Sequence, residues 1–153
     1  QRHEGVRMKK VIFIGQTGCG KTTLCQKLNE QELRYKKTQA IELYGESIDT
    51  PGEYMENRRF YSALIMAAAD ARIIALVSDP TRTYHPIPPA FSVAFAKKVI
   101  GIVTKIGLAG EKQITASFQE LKSAKADPIF LVDTIAGTGL ETLMEYLTAE
   151  QPG

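Results

Sequence analysis

An eight-residue run near the amino terminus limits the folds that this chain can adopt. It reads Gly15-Gln16-Thr17-Gly18-Cys19-Gly20-Lys21-Thr22 and matches the pattern G-x-x-x-x-G-K-[ST] of a phosphate-binding loop. The apolar residues 11–14 before it predict a buried strand, and Leu24 and Leu28 after it lie on one face of a predicted helix. This order of strand, glycine-rich loop and helix start predicts an α/β domain with an anion site at the beginning of its first helix.

The residue types in this run suit a nucleoside triphosphate and Mg²⁺. Glycines let backbone N–H groups point at phosphate oxygens, Lys21 supplies positive charge for the β- and γ-phosphates, and the Thr22 hydroxyl is placed to ligate Mg²⁺. Cys19 is either a reactive thiol near a helix start or a small residue that fills space. We predict that these residues bind the nucleotide: Gly15, Gln16, Thr17, Gly18, Cys19, Gly20, Lys21, Thr22 and Thr23.

Length, charge and hydropathy exclude several classes of protein. The chain has 153 residues, enough for one domain, and its net charge of +2 gives no case for nucleic-acid binding through bulk charge. No apolar run approaches the roughly 18–20 residues of a membrane span, and two cysteines make no disulfide framework, so we expect a cytoplasmic protein. We expect residues 1–7 to be a cloning remnant and residues 8–153 to form a single nucleotide-binding domain.

Apolar segments alternate with helical patterns along the chain, which predicts a mostly parallel sheet covered by helices on both faces. Further strands are predicted at 73–77, 99–103 and 128–132, and further helices at 57–69, 114–121 and 140–147. The polar stretch 29–38 is a predicted loop, and the proline-rich stretch 79–89 is predicted to be a structured loop or a polyproline-like excursion. Residues 40–44 and 47–49, with a turn signal at Gly45-Glu46, predict a β-hairpin that would add one antiparallel edge strand.

A second nucleotide signal lies at the end of that predicted hairpin. Asp49-Thr50-Pro51-Gly52 fits the pattern D-x-x-G, in which the carboxylate can hold the Mg²⁺ shell and the glycine N–H can approach the γ-phosphate. Thr38 is a candidate switch threonine that reaches Mg²⁺ and the γ-phosphate, and a solvated loop threonine is the alternative. The predicted metal ligands are Thr22, Thr38 and Asp49.

Several segments resemble the translation-factor-type branch of P-loop GTPases and, more closely, the ethanolamine/propanediol-utilisation family, EutP/PduV. The resemblance runs from Met8 to about Leu147 and is carried by residues 37–40, 48–54, 56–58 and 61–64. It implies a three-layer P-loop NTPase fold of the Ras-like small-GTPase type. It also implies a part in bacterial catabolism of ethanolamine or 1,2-propanediol, often associated with microcompartments whose shell or pathway enzymes would be partners.

The signals by which GTPases of this branch read guanine are altered. Their [NT]-K-x-D motif corresponds to Thr104-Lys105-Ile106-Gly107, so glycine replaces the aspartate that accepts hydrogen bonds from guanine. Asp133-Thr134 stands where the Ser-Ala signature backs the base, and Asp133 is a candidate to accept those bonds from the other side. The predicted base-binding residues are Thr104, Lys105, Asp133 and Thr134, and both ATP and GTP remain open.

Glu53 stands where many GTPases place a glutamine that orients water. A glutamate could act as a base, although its charge would face the γ-phosphate, and an exposed loop carboxylate is the alternative. The predicted catalytic residues are Lys21, Thr38, Gly52 and Glu53. Basic residues at 34, 36, 37, 58 and 59 either form a solvated face or bind a phosphoryl group or an anionic acceptor.

Three functions are compatible with these residues. The chain is an NTPase that passes the γ-phosphoryl group to water, an ATP-dependent kinase that passes it to a carboxylate such as acetate, or a nucleotide-dependent switch or scaffold. The phosphate loop contacts no base and serves water or a substrate acceptor equally, so it does not choose among them.

Overall fold

The computed structural model describes residues 8–16, 18–36, 42–49, 62, 64–66, 68–69, 71–83 and 87–148. Within these ranges the strands and the fully described helices follow in the order β1 Met8–Gly15, α1 Lys21–Lys36, β2 Glu42–Asp49, β3 Ile73–Ser78, β4 Lys98–Val103, α2 Glu111–Ser123, β5 Ile129–Leu131 and α3 Leu140–Thr148. Short 3-10 helices span Phe91–Ala94 and Ile106–Leu108.

The strands form one sheet in the order β2-β1-β3-β4-β5, and every pairing between them is parallel. The middle strands are buried along their length: all six residues of β3 are buried, as are residues 11–14 of β1. Continuous apolar runs are what a parallel sheet covered on both faces requires. The predicted strands at 11–14, 73–77 and 99–103 are therefore confirmed. The strand predicted at 128–132 is confirmed over Ile129–Leu131, where it forms a partly buried edge strand.

Apolar side chains form a core on each face of the sheet, which confirms the three-layer arrangement. Leu24 and Leu28 of α1 pack with the apolar face of α3 on one side. Leu121 of α2 packs with Leu64 and Phe91 on the other side. Among the side chains that the structure describes, each helix buries one stripe and leaves the other positions exposed or partly exposed, as the helical spacing predicts.

The β-hairpin predicted at 40–49 is wrong. Glu42–Asp49 is one continuous strand that pairs parallel to β1, and Gly45 lies opposite Val11 in the middle of the ladder. Residues 42–49 therefore supply no antiparallel edge strand. The Gly45-Glu46 signal reflects a local turn preference, and pairing with β1 along eight residues outweighs it.

The loop predicted at 29–38 is also wrong over most of its length. Helix α1 continues to Lys36. The polarity of the stretch indicates a loop, but glutamine, glutamate, leucine, arginine and lysine all have high helix propensity. The helix predicted at 57–69 is helical at the described positions 62 and 64–66, and the rest of it lies outside the described residues.

Candidate nucleotide-binding site

The loop between β1 and α1 has the backbone geometry of an anion site. Gly18 and Gly20 have φ angles of 83° and 104°, values that side-chain-bearing residues rarely adopt. The loop is closed by a hydrogen bond of 3.1 Å from the Cys19 N–H to the Gln16 carbonyl. The N–H groups of Thr22 and Thr23, in the first turn of α1, donate to no acceptor among the described residues. They are available to a negatively charged ligand.

Lys21 lies within this loop rather than in solvent. Its ammonium donates to the carbonyls of Gly15 and Gln16, both at 2.9 Å, and the residue is 3% exposed. Positive charge is thereby concentrated at the helix start, where it adds to the field of the helix dipole.

Cys19 fills space beneath the loop. The residue is 1% exposed, its Sγ lies 3.7 Å from the Lys21 Nζ, and a Cβ on Gly15 would lie 2.8 Å from that sulfur. Burial raises the pKa of the Cys19 thiol, and the neighbouring Lys21 only partly opposes this. The structure therefore fits the interpretation of Cys19 as a small filler and not that of a reactive thiol.

Two of the predicted Mg²⁺ ligands lie at the two ends of the phosphate loop. The backbone of Asp49 lies opposite Gly15 where β2 ends, and Thr22 is exposed on the first turn of α1. A hydroxyl and a carboxylate are oxygen donors of the kind that Mg²⁺ takes beside phosphate oxygens. Thr17, Thr38, Gly52 and Glu53, together with the side chain of Asp49, lie outside the described residues.

Thr104 connects the phosphate loop to the neighbouring strands. Its hydroxyl donates to the Cys19 carbonyl at 2.8 Å, its N–H donates to the Ser78 carbonyl at 3.0 Å, and it is 1% exposed. The contact joins segments that are 85 residues apart in sequence. A side chain held in this way positions the loop, and the base contact predicted for Thr104 stays a prediction.

Lys105 is held across the phosphate loop by a buried carboxylate. Its φ is 55°, and its ammonium donates to the Gly18 carbonyl at 3.1 Å and to Asp79 Oδ2 at 2.8 Å. Arg82 joins the same carboxylate, with Nε 3.4 Å from Asp79 Oδ2, and its guanidinium lies against Gly18. A lysine with positive φ is strained, and such strain persists only where surrounding contacts hold it.

The sequence interpretation missed Asp79 and Arg82. Asp79 directly follows the buried strand β3, at the sheet edge where the phosphate loop also lies. A carboxylate at the carboxyl end of a parallel strand is a signal for a ligand site in an open α/β sheet. The proline-rich sequence that follows it indicates only a loop.

Asp79 makes the stability of this site dependent on pH. Burial disfavours its ionised carboxylate, but hydrogen bonds from Lys105 and Thr81 outweigh burial and hold the pKa of Asp79 below its ordinary value. A carboxyl group with a lowered pKa in the folded state stabilises the fold above the ordinary aspartate pKa. That contribution is lost as the pH falls through the lowered value.

We therefore expect Asp79→Asn to lower the free energy of unfolding by about 1–2 kcal/mol at neutral pH, a figure that allows for the partial exposure of Lys105 and Arg82. The deficit should shrink in acid, as the wild type itself becomes protonated. Urea unfolding from pH 7 down to pH 3 measures both the loss of stability at neutral pH and its decrease in acid. Glu145→Gln, on the exposed face of α3, is the control, and a deficit that stays constant with pH would contradict the assignment.

The segment after β3 is anchored behind the phosphate loop. The carboxylate of Glu120, on α2, accepts from the Ser78 hydroxyl at 2.7 Å and from the Ile87 N–H at 2.9 Å. The hydroxyl oxygens of Ser78 and Ser117 are also within hydrogen-bond distance, 2.9 Å apart. Ser78 and Ile87, on either side of residues 84–86, are therefore both held against α2. Residues 84–86 lie outside the described residues, so the structured loop or polyproline-like excursion at 79–89 stays a prediction.

Gly107 and Asp133, which stand where the usual guanine-reading residues are expected, are neighbours in the structure. Gly107 is in the turn after β4 and Asp133 in the turn after β5, and the Ile106 N–H donates to the Val132 carbonyl at 3.3 Å. A Cβ built on Gly107 would overlap Asp133 Oδ2. Thr134 follows in the same turn and is half-buried. The two turns thus meet at the carboxyl edge of the sheet, beside Lys105.

Within the described part of the chain, the helices are too short or too polar to cross a membrane.

Comparison with known proteins finds relatives along nearly the whole chain. The family model PduV-EutP, described as ethanolamine utilisation - propanediol utilisation, matches residues 8–149. The propanediol utilization protein PduV of Citrobacter freundii is 40% identical over 144 residues, which are 94% of this chain and 96% of that protein. The probable acetate kinase EutP of Salmonella typhimurium is 32% identical over 146 residues, covering 93% and 91%.

The probable acetate kinase EutP of Escherichia coli K12 is 28% identical over 144 residues, covering 93% of this chain and 91% of that protein. Among solved structures, translation elongation factor SelB from Methanococcus maripaludis, in its apo form, superposes with a TM-score of 0.64 at 20% identity. The match covers 93% of this chain but 33% of the SelB chain. At that identity the likeness supports the fold alone, which is the α/β fold of P-loop NTPases.

Proposed function

Because the chain belongs to the PduV-EutP family of ethanolamine and propanediol utilisation proteins, we propose that it binds a Mg²⁺–nucleoside triphosphate and catalyses removal of the γ-phosphoryl group. The observation that carries the proposal is the position of Lys21, whose ammonium lies inside a loop with two positive-φ glycines at the start of α1. Such a loop is an anion site whether or not the bound base is known.

Different residues would bind the phosphates, hold Mg²⁺ and support the phosphate loop. The Lys21 ammonium and the first-turn amides of α1 bind phosphate oxygens and oppose the charge that develops during transfer. The Thr22 hydroxyl and the Asp49 carboxylate would hold Mg²⁺, which neutralises charge on the β- and γ-phosphates, and Thr38 would complete the set. Thr104 and Lys105 keep the loop in place from behind, with the help of Asp79.

The acceptor of the phosphoryl group separates two versions of this function. If water is the acceptor, the protein is an NTPase of GTPase type, and Gly52 and Glu53 would orient the water. A carboxylate as the acceptor makes it an acetate kinase, and the names of the Escherichia coli and Salmonella relatives favour this second candidate. In that reaction an acetate oxygen forms the new bond to the γ-phosphorus, the bond to the β-phosphate oxygen breaks, and acetyl phosphate leaves with the nucleoside diphosphate.

One assay distinguishes the acceptors. We expect wild-type protein with Mg²⁺ and either ATP or GTP to consume triphosphate, and we expect Lys21→Ala to abolish that consumption. Product is measured as inorganic phosphate and, in parallel with added acetate, as the hydroxamate of acetyl phosphate. Hydroxamate formation that depends on both acetate and Lys21 identifies a kinase, whereas phosphate release unaffected by acetate identifies an NTPase. Consumption that persists in Lys21→Ala would contradict both versions.

The family membership also favours protein partners from the same catabolism. Pathway enzymes or the shell of a microcompartment are the proposed class, and a nucleotide-dependent switch would act by binding them in only one nucleotide state.

A further inference from the structure

The space that a side chain at position 107 would occupy is filled by a carboxylate from another turn. A Cβ on Gly107 would overlap Asp133 Oδ2 and would lie 3.2 Å from Asp133 Cγ. Gly107 has no positive φ that would demand glycine. A side chain at position 107 would therefore force the Asp133 carboxylate to move, and in this sense the two positions are coupled.

The Asp133 carboxylate is held in this position by its own turn. Its Oδ1 accepts from the N–H groups of Ile135 and Ala136 at 2.9 and 3.2 Å, and the turn is closed by a bond of 2.9 Å from the Asp133 N–H to the Thr138 carbonyl. Among the described residues no donor reaches Oδ2. One oxygen is thus used to orient the group, and the other is available to a ligand.

The surroundings of this oxygen suit a flat aromatic ligand. Lys105, held against the phosphate loop, lies two residues before Gly107 in the turn after β4. Leu108 and Ile135 are large apolar residues in the same two turns, and they are 67% and 83% exposed. Exposed apolar side chains beside a polar group are typical of a site that a ligand covers.

The chemistry of an ionised carboxylate distinguishes the two common purine bases. A carboxylate accepts hydrogen bonds and donates none. Guanine presents two adjacent donors on one edge, N1–H and the exocyclic N2 amine, whereas the corresponding edge of adenine presents an acceptor at N1 beside its amine. A carboxylate at the base is therefore favourable for guanine and repels the acceptor of adenine.

We infer that Asp133 has taken over the reading of the base from position 107, and that the bound nucleotide is a guanine nucleotide. The inference rests on the proposed function, because the phosphate loop must bind the triphosphate before the base can be read. It names a residue for base specificity where the sequence has lost the usual one.

The test is a change of base specificity in Asp133→Asn. Asparagine keeps the Oδ1 acceptor for Ile135 and Ala136, so the turn is retained, but its amide places a donor where the second carboxylate oxygen was. We expect affinity for GTP to fall by about 10- to 100-fold, the effect of losing one or two charge-assisted hydrogen bonds. Xanthosine triphosphate, which has a carbonyl in place of the N2 amine, should bind the variant more tightly than it binds the wild type.

The measurement is competition of GTP, ATP and xanthosine triphosphate, each with Mg²⁺, against a fluorescent nucleotide on the whole protein. Glu145→Gln is the matched control, since it neutralises an exposed carboxylate on α3 and should leave all three affinities unchanged. A wild type without preference for GTP over ATP overturns the inference, and so does an Asp133→Asn variant with unchanged ratios. A wild type that binds no triphosphate overturns the proposed function itself.

Exchange of the two residues gives a second, independent test. Gly107→Asp alone should weaken GTP binding, because its Cβ would overlap Asp133 and two carboxylates would face each other. Adding Asp133→Ser removes the overlap and should recover most of that loss. A double variant that binds GTP no more tightly than Gly107→Asp alone would contradict the inference.

Discussion

Lys21→Ala is expected to lower the affinity for Mg²⁺–nucleoside triphosphate by about 100-fold or more and to abolish turnover. The ammonium is the buried cation of the loop, 3% exposed and surrounded by the carbonyls of Gly15 and Gln16. Charge-assisted hydrogen bonds contribute about 1.5–3 kcal/mol each, and two phosphate groups would lose their contact to it. Isothermal titration with GTP and with ATP measures the affinity, and phosphate release measures turnover.

Lys112→Ala is the matched control for this substitution. It also removes one positive charge, but from the exposed face of α2. Comparing the two variants separates the local effect of the ammonium from the effect of net charge. Melting curves without nucleotide show whether Lys21→Ala still folds, and a folded variant within threefold of the wild-type affinity would overturn the proposed function.

What could be predicted from the sequence is what depends on neighbouring residues. The residues that form β1, the glycine loop and the first turn of α1 follow one another in the chain, and the structure confirms both the strand and the helix start. The buried strands β3 and β4 were predicted from continuous apolar runs, because a strand covered on both faces has no polar side.

What could not be predicted depends on partners distant in sequence. The Gly45-Glu46 pair indicates a turn in isolation, but pairing with β1 keeps Glu42–Asp49 extended. The contact of Thr104 with Cys19 joins residues that are 85 apart in sequence, and that of Asp79 with Lys105 joins residues that are 26 apart. A local sequence pattern therefore does not predict either contact. The same holds for Gly107: its replacement of an aspartate suggests a lost function until the position of Asp133 is known.

The turn that carries Asp133 depends on two glycines for different reasons. Gly137 and Gly139 have nearly the same positive φ, 84° and 80°. A Cβ on Gly137 would meet nothing within 4 Å, whereas a Cβ on Gly139 would overlap the Leu131 carbonyl oxygen and lie 3.3 Å from Val132 Cα. These neighbours are backbone atoms at the end of β5 and cannot move aside without disturbing the sheet.

We therefore expect the two alanine substitutions to differ strongly. Gly137→Ala should cost about 1 kcal/mol, the penalty of a left-handed backbone alone. Gly139→Ala should cost about 3 kcal/mol or more, because overpacking against the backbone adds to the same penalty. At roughly 3 °C per kcal/mol for a domain of this size, the second variant should melt near 10 °C below the wild type.

Thermal and urea unfolding of both variants measure the difference, and each variant serves as the control of the other for the dihedral penalty. Because Gly139 holds the end of the turn against β5, Gly139→Ala should also weaken guanine nucleotide binding through Asp133, whereas Gly137→Ala should leave the preference for GTP over ATP unchanged. Equal losses of stability in the two variants would mean that the turn does not pack against Leu131. The position of Asp133, and with it the reading of the base, would then need another support.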